Sequence, residues 1–326
     1  MSASAISRKL LFSARERLNP HLRSTPLVPG FFAQGPVWLK LETQQPTGSF
    51  KVRPALNGIL AHEQTARKQG IIASSSGNFA QAVAYAAKSL GCHAQIVMMQ
   101  STSEYKISRT RDLGAEVVLC GASFQERWDT TYRLQRETGR LLLHPYDSPD
   151  TISGDATLGL ELLEQLPGDF TCIVPVSGGG LLAGIALALK TARPGCRVIG
   201  VQPEANPSMK RALESGEREE GAIAPSIADA LIAVKPGALP FEIAQKYVDE
   251  IVLVTEAEIV EALRVLTQEQ KLVVEPGAAV TVAAVLSGKI STRHMATVCV
   301  LSGGNIQPEN LLRLAFGTRP LLNRVP

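Results

Sequence analysis

The sequence lacks long hydrophobic runs, and this absence limits where the protein is expected to work. No segment reaches the roughly 18 unbroken apolar residues that a membrane-spanning helix requires. Near the N-terminus, charges interrupt the apolar residues at helical spacing, unlike the apolar core of an export signal. We therefore predict that the protein neither spans nor binds a membrane and that it is not exported.

Paired cysteines and concentrations of one charge are also missing. The 5 cysteines are scattered and no two form a C-x-x-C pair, a distribution typical of buried thiols in a reducing compartment, which predicts a cytoplasmic protein. The 33 basic and 30 acidic residues give a net charge of only +3, and the basic residues form no run. Nucleic-acid binding normally requires a basic patch, so we expect no nucleic-acid partner.

What the sequence does contain is a regular alternation of short and long apolar patterns over 326 residues, enough for about two domains. Short β-branched runs alternate with helical periodicity, which predicts an α/β fold with parallel sheets. Thr255 and Glu258 have the spacing of a capping box. Helices are predicted over 79–90, 124–138, 181–191 and 256–270, and strands over 37–41, 71–73, 95–99, 116–119, 172–176, 197–201, 251–254 and 297–301.

Three predicted strand-to-helix turns, 74–78, 177–180 and 302–305, are rich in glycine and serine. Ligands of open α/β sheets bind at the carboxyl ends of strands, where such turns lie. In the turn 177–180, consecutive glycines would let the backbone approach an anion at the start of a helix, which predicts a phosphate cradle. The alternative is a tight turn whose glycines only allow close packing.

The turn 74–78 offers hydroxyl, amide and backbone N–H groups, a set suited to a carboxylate and a neighbouring oxygen. The alternative for this turn is a serine-capped helix. Upstream of it, Lys51 follows Phe50 in a polar turn after a predicted strand. A lone lysine is usually a solvated surface group, and only its surroundings in the sequence single it out.

These turns belong to a set of segments that occur in order along nearly the whole chain: 25–27, 39–42, 46–51, 75–81, 148–150, 158–161, 177–185, 226–229, 275–276 and 302–305. In this combination the sequence resembles the fold-type II pyridoxal-phosphate enzymes of the serine/threonine dehydratase and serine racemase family. The resemblance implies a tryptophan synthase beta-like fold of two interleaved, open, twisted α/β domains with the cofactor in the cleft. It implies a smaller domain over 53–144, a larger one over 1–52 and 145–326, and a homodimer or higher homo-oligomer.

The resemblance also assigns roles toward pyridoxal 5'-phosphate. Lys51 would carry the cofactor as a Schiff base, Phe50 would pack beside its ring and Asn78 would hydrogen-bond its phenolate oxygen. Ser302 would face the pyridine nitrogen, and a serine cannot hold that nitrogen protonated as a carboxylate does, so the ring would be a weaker electron sink. The phosphate would be bound by the turn residues Ser177, Gly178, Gly179, Gly180 and Leu181.

The implied reaction is dehydration and deamination of a β-hydroxy amino acid, L-threonine, L-serine or a relative, to a 2-keto acid and ammonia. Lys51 would act as the general base. The substrate carboxylate would be bound by Ser75, Ser76, Gly77 and Asn78. Ser76 has two interpretations, because a hydroxyl opposite Lys51 can deliver a proton, as in a racemase, or can simply bind the carboxylate.

Some positions depart from the family pattern or stay open. Phe79 and Pro54 stand where relatives commonly have histidine and glycine, which predicts a different pocket shape. Gln202 and Ser208 replace two carboxylates of the family's cation site, so we predict no metal. Glu275 is either a group near the cofactor or a helix-entry residue.

Several other functions compete with the dehydratase. Within the fold they are a serine or hydroxyaspartate racemase, a β-replacement enzyme and a non-catalytic cofactor-binding protein. A dinucleotide oxidoreductase is the remaining candidate for a glycine-rich α/β chain. It is disfavoured because the chain lacks the complete dinucleotide fingerprint and because Lys51 would be left unexplained.

Overall fold

The computed structural model describes residues 6–317, in which helices and strands alternate along the chain. The strands are β1 (Leu27–Gly30), β2 (Val37–Leu41), β3 (Ile71–Ser74), β4 (Ala94–Met99), β5 (Glu116–Cys120), β6 (Leu141–Leu143), β7 (Thr171–Pro175), β8 (Arg197–Pro203), β9 (Glu250–Val254) and β10 (Thr297–Leu301). The helices are α1 (Arg8–Leu18), α2 (Val52–Ala61), α3 (Glu63–Gln69), α4 (Asn78–Ser89), α5 (Glu104–Asp112), α6 (Phe124–Thr138), α7 (Pro149–Gln165), α8 (Gly180–Ala192), α9 (Ser208–Ser215), α10 (Ala238–Tyr247), α11 (Glu256–Gln268), α12 (Pro276–Leu286) and α13 (Pro308–Phe316).

The strands form two sheets. The larger has 6 strands in the order β1-β2-β10-β7-β8-β9, and the smaller has 4 in the order β5-β4-β3-β6. All neighbouring strands are parallel except β1, which runs antiparallel to β2. Every predicted strand is present within a few residues. The short edge strands β1, which contains Pro29, and β6 were not predicted.

The predicted helices are also confirmed, and their ends follow capping chemistry. Helix α6 has the predicted bounds and begins with a capping box between Ser123 and Glu126 that was not foreseen. Helix α11 begins with the predicted box, in which the Thr255 hydroxyl accepts a hydrogen bond from the Glu258 N–H. None of the helices within residues 6–317 has the length and apolar character needed to cross a membrane.

Each sheet has its own apolar core. One core cluster joins β3, β4 and α4 of the smaller sheet, through residues such as Ile71, Val83 and Ile96. Two other clusters cover the faces of the larger sheet, one under α11 and α12 and one under α8. The smaller sheet lies within 71–143 of the chain, whereas the larger takes strands from both sides of it. This interleaving confirms the predicted fold class, while the domain limits at 53 and 144 stay a prediction.

Candidate active site

Lys51 directly precedes α2, and its ε-amine is directed toward the loop before α7. The amine donates a hydrogen bond to the carbonyl oxygen of Pro145 at 2.6 Å. Its Nζ lies 4.8 Å from the centroid of the Phe50 ring and 5.5 Å from that of Phe79. Burial lowers the pKa of this amine, and the carboxyl group of Asp155 opposes the change. A lowered pKa favours the neutral amine, the form that attacks carbonyl groups and accepts protons.

The turn 177–180, the glycine turn, joins the end of β7 to α8. Gly179 has a φ of +96°, a left-handed conformation that favours glycine. A Cβ on Gly178 would lie 2.4 Å from the Tyr146 ring, and one on Gly180 would lie 3.0 Å from the Tyr146 backbone. Side chains are therefore excluded on this side of the turn. The first N–H groups of α8 have no acceptor within the helix and can bind an anion.

Asn78 is the first residue of α4, and two neighbours fix the orientation of its amide. Its nitrogen donates to Glu275 Oε1 at 2.7 Å, and its oxygen accepts from Asn305 Nδ2 at 2.7 Å. Asn305 in turn donates to the carbonyl of Thr47 at 2.8 Å. Since one N–H of the Asn78 amide is held by Glu275, the other is left for a ligand.

Glu275 immediately precedes α12, but its side chain does not cap that helix. Burial raises the pKa of its carboxyl group to about 7; the nearby Asp229 adds to the increase and the hydrogen bond from Asn78 opposes it. Of the two interpretations of Glu275, the contact with Asn78 describes its side chain better than helix entry does.

The serine turn, residues 75–78, lies beside open space. A Cβ on Gly77 would meet no atom within 4 Å. The Ser75 hydroxyl accepts a hydrogen bond from the Gly77 N–H at 3.3 Å. The Ser76 hydroxyl accepts one from Thr102 Oγ1 at 2.9 Å. The turn therefore presents backbone and hydroxyl groups toward a space that a small ligand can enter.

The remaining predicted residues lie next to these groups. The backbone carbonyl of Ser302 accepts a hydrogen bond from the Phe50 N–H at 2.9 Å, which places the turn 302–305 beside Lys51. Ser177 Oγ accepts one from the Ala233 N–H at 3.3 Å. The structure thus brings all the predicted turns together, and we call this assembly, with Lys51 and the loop 144–147, the central site.

The loop 144–147 was not predicted as part of the site, yet it contacts both Lys51 and the glycine turn. His144 stacks on Trp128 with ring centroids 4.8 Å apart, and its Nδ1 accepts from the Asp147 N–H at 2.8 Å. Burial lowers the pKa of His144 to about 4, which keeps the ring neutral. The Asp147 carboxylate binds the first N–H groups of α10 at 2.8 and 3.0 Å. These bonds hold Pro145 and Tyr146 against the site.

Asp155 is a second residue that the sequence analysis missed. It lies within α7, is fully buried, and has no hydrogen-bond partner for either carboxyl oxygen in the part of the chain that the structure describes. A signal for it exists in the sequence, because it is the only charged residue in the stretch 151–160. Its significance becomes visible only when α7 is packed beneath the glycine turn.

The residues of the central site fit pyridoxal phosphate. A glycine turn at a helix start suits a phosphate, a buried amine with a lowered pKa suits an aldehyde, and the oriented Asn78 amide suits a phenolate oxygen. By contrast, no group of three or more His, Cys, Asp or Glu side chains within residues 6–317 could hold a metal ion. In the expected cation stretch, Gln202 is buried and its Oε1 accepts from the Lys210 N–H at 3.0 Å.

Comparison with known proteins agrees with this fit. A family model described as pyridoxal-phosphate dependent enzyme matches residues 18–303. The chain belongs to this family. An L-threonine ammonia-lyase of Thermotoga maritima is 44% identical over 280 residues, which covers 86% of this chain and 70% of the relative.

Solved structures extend the comparison to the fold. Maize serine racemase has a TM-score of 0.88 and 33% identity, covering 95% of this chain and 96% of that one. A threonine deaminase of T.th. has a TM-score of 0.87 and 40% identity, covering 92% of this chain and 99% of that one. These findings confirm the predicted family, fold, cofactor and lyase class.

Proposed function

We propose that this pyridoxal-phosphate enzyme is an ammonia-lyase that converts L-threonine, L-serine or a related β-hydroxy amino acid to a 2-keto acid and ammonia. The observation that carries the proposal is the convergence of Lys51, the oriented Asn78 and the glycine turn. The chain that holds them is 44% identical to an L-threonine ammonia-lyase.

The central site suggests where the cofactor and substrate bind. We assign the phosphate to Gly178, Gly179, Gly180 and Leu181 with Ser177, the ring to the space beside Phe50, and the ring nitrogen to Ser302. Asn78 holds the phenolate oxygen in the orientation that Glu275 and Asn305 give it. The substrate carboxylate is bound by Ser75, Ser76, Gly77 and Asn78.

Pyridoxal phosphate held in the central site would supply an electron sink for the Cα of the substrate. The neutral Lys51 amine removes the α-proton, for which its lowered pKa is suited. The β-hydroxyl leaves with a proton as water, and hydrolysis of the remaining C–N bond gives the keto acid and ammonia. Phe50 and Phe79 lie close to Nζ and cover part of the amine.

A racemase is the second candidate, and one observation favours it. Thr102 holds the Ser76 hydroxyl by a hydrogen bond of 2.9 Å, so this hydroxyl has a defined position at the serine turn. A hydroxyl fixed on the face opposite Lys51 can return a proton to the substrate. The two activities share every other residue of the site and are distinguished by their products.

We further propose that the enzyme is cytoplasmic, a homodimer or higher homo-oligomer, and free of a bound metal at the stretch 202–208. Leu312 and Phe316, four residues apart on α13, are 46% and 49% exposed and supply apolar surface for a subunit contact. Light scattering on the purified protein measures the mass of the assembly, and a mass near 34.9 kDa would contradict the oligomer.

The test of the function is a substrate panel with purified holoenzyme: L-threonine, L-serine, D-serine and threo-3-hydroxyaspartate, with keto acid and enantiomer ratio measured together. Keto acid from L-threonine or L-serine that is lost in Lys51→Ala supports the lyase. Enantiomer exchange with little keto acid would replace it by the racemase. No product from any substrate, with the cofactor bound, would overturn both.

A further inference from the structure

Asp155 is a buried carboxyl group for which the proposed reaction has no use. It is 0% exposed, and both of its oxygens lack a hydrogen-bond partner among the described residues. Its Oδ2 would lie 3.1 Å from a Cβ on Gly180, so it lies directly behind the glycine turn. An isolated carboxylate is expensive to bury, which means that a carboxyl group retained at this point needs a physical explanation.

The charged groups that face Asp155 come from one side. Lys51 and Arg53, at the start of α2, favour the carboxylate, and Glu42, in the short helix before it, opposes it. Burial has the largest effect on the pKa of Asp155, and burial and these charges together raise it to about 7. The pKa therefore lies close to neutrality, where a change in nearby charge can protonate or deprotonate the carboxyl group.

The ionisable groups of the other elements packed against Asp155 do not contribute to the shift of its pKa. Helix α8 presents the backbone of Gly180 and Gly184. The loop before α7 presents Tyr146, whose pKa burial raises, and Asp147, which is bound to the start of α10. On α1, Arg15 pairs with Glu164, whereas the Arg17 guanidinium donates to the neutral amide oxygen of Asn57. A phosphate dianion bound at the glycine turn would therefore be the main change in the charges near Asp155.

We propose that Asp155 links cofactor binding to a proton: the carboxyl group is neutral whenever a phosphate monoester dianion occupies the glycine turn. The inference rests on the proposed assignment of the phosphate to this turn. A carboxylate behind Gly180 and a dianion in front of it repel each other across a water-poor region, where charges interact strongly. Binding removes this repulsion by moving one proton from solvent to the Asp155 carboxylate, and no other bond is made or broken.

The sign of the pH dependence follows from this linkage. Below pH 7 the carboxyl group is already protonated in the free protein, so binding requires no proton uptake. Above pH 7 it is ionised in the free protein and protonated in the complex, so the affinity falls as the pH rises, by up to about tenfold per pH unit. Schiff-base formation by Lys51 should instead become more favourable as the pH rises, because the amine must lose its proton before it reacts.

The test therefore uses pyridoxine 5'-phosphate, a phosphate monoester without an aldehyde, and the apoprotein of the full chain. Calorimetry at pH 6.5 to 8.5, in two buffers of different ionisation enthalpy, gives Kd and the number of protons taken up. The variants are Asp155→Asn and, as the matched control on the same helix, Asp150→Asn. Asp150 is partly exposed and pairs with His62.

We expect the wild type and the control to take up close to one proton more than Asp155→Asn at pH 8. The ratio of wild-type to Asp155→Asn Kd should increase roughly tenfold between pH 7 and pH 8.5. Equal proton uptake in all three proteins, or parallel Kd curves, would overturn the proposal. If Asp155→Asn does not fold, Asp155→Ala takes its place, because a comparison of proton uptake with the wild type cancels any proton exchanged by the ring nitrogen of the ligand. None of these readouts needs turnover, so they can succeed or fail independently of the lyase assay.

Discussion

The molecule contains two neighbouring groups of buried or partly buried ionisable side chains, and the charges of the two groups are satisfied in opposite ways. In the ion-pair cluster, formed by Lys40, Glu42, Arg53 and Glu161, each cation has a carboxylate partner. Arg53 binds Glu42 at 2.8 Å and Glu161 at 2.7 Å. Lys40 binds Glu161 at 2.7 Å. The cluster ties β2, α2 and α7 together directly behind the central site.

In the central site the corresponding partners are missing. Lys51 donates to a backbone carbonyl, and Asp155 has no hydrogen-bond partner among the described residues. Burial lowers the pKa of Lys51 and His144 and raises that of Asp155 and Glu275, so all four shift toward their neutral forms.

The comparison separates a structural role from a chemical one. Burial alone would raise the pKa of Glu161, but Arg53 and Lys40 outweigh it, and the pKa of Glu161 falls. Burial would also lower the pKa of Arg53, yet its two carboxylates raise it. Lys40 departs from this pattern, because burial lowers its pKa in spite of Glu161. Groups locked in their charged forms hold the fold, and groups near neutrality can exchange protons with a ligand.

The largest effect should come from replacing Lys51 and Lys40 in turn. Lys51→Ala should lower keto-acid formation by about a thousandfold or more, because the base and the cofactor's attachment are lost together. Its free energy of unfolding should stay near that of the wild-type apoprotein. Lys40→Met should do the reverse and destabilise the fold by about 3 kcal/mol, since it breaks a buried ion pair. Keto-acid formation and urea unfolding measure the two properties. A folded Lys40→Met variant that forms keto acid as slowly as Lys51→Ala would contradict the division.

Breaking the ion-pair cluster should have the next largest effect, which is a loss of stability. Glu161→Gln leaves Arg53 and Lys40 with one uncompensated charge, which should cost about 3–5 kcal/mol in the free energy of unfolding. The matched control is Glu164→Gln on the same helix, because Glu164 is 57% exposed and pairs with Arg15 at the surface. Exposed pairs of this kind contribute about 1 kcal/mol or less. Similar losses in both variants would show that the cluster does not hold the fold.

This difference between the two groups could not have been predicted from the sequence. The β-branched runs locate the buried strands, and the turns that follow them locate Lys51, Asn78 and the glycines. The edge strands β1 and β6 escaped because a short strand is stabilised by its neighbour more than by its own residues. Asn78 and Glu275 are 197 residues apart, so their contact depends on the packing of two sheets. Asp155 is conspicuous in its stretch, but only packing shows that it lacks a partner.

A smaller effect should separate Glu275 from an ordinary surface carboxylate. Its pKa of about 7 lies above the usual 4.5, so between these values the folded protein keeps a proton that the unfolded chain has lost. Stability from this group is complete at low pH and declines as the pH rises through that window. Between pH 5 and pH 8 the wild-type apoprotein should lose about 2.5 kcal/mol more than Glu275→Gln.

Urea unfolding of the apoprotein at both pH values measures this difference, and the exposed Glu269 supplies the control. Glu269→Gln should keep the wild-type pH dependence, because its carboxylate is solvated in both states. If Glu275→Gln also kept it, Glu275 would be ionised throughout the window. Glu275 would then be held in its charged form, as the members of the ion-pair cluster are. Lys51, His144 and Asp155 would remain as groups of the central site that favour their neutral forms.

The smallest effect concerns a hydrogen bond at the edge of the central site. Thr102→Val removes the donor that holds the Ser76 hydroxyl, a loss of about 1 kcal/mol for one hydrogen bond. If Ser76 returns a proton to the substrate, the ratio of D-serine to pyruvate formed from L-serine should fall about fivefold. Cofactor affinity should be unchanged, because Thr102 touches Ser76 and not the glycine turn. The control is Thr110→Val, whose hydroxyl bonds only to its own helix at Lys106. Ser76→Ala sets the limit of the effect, and a ratio that stays constant in Thr102→Val and Ser76→Ala would make Ser76 a carboxylate ligand alone.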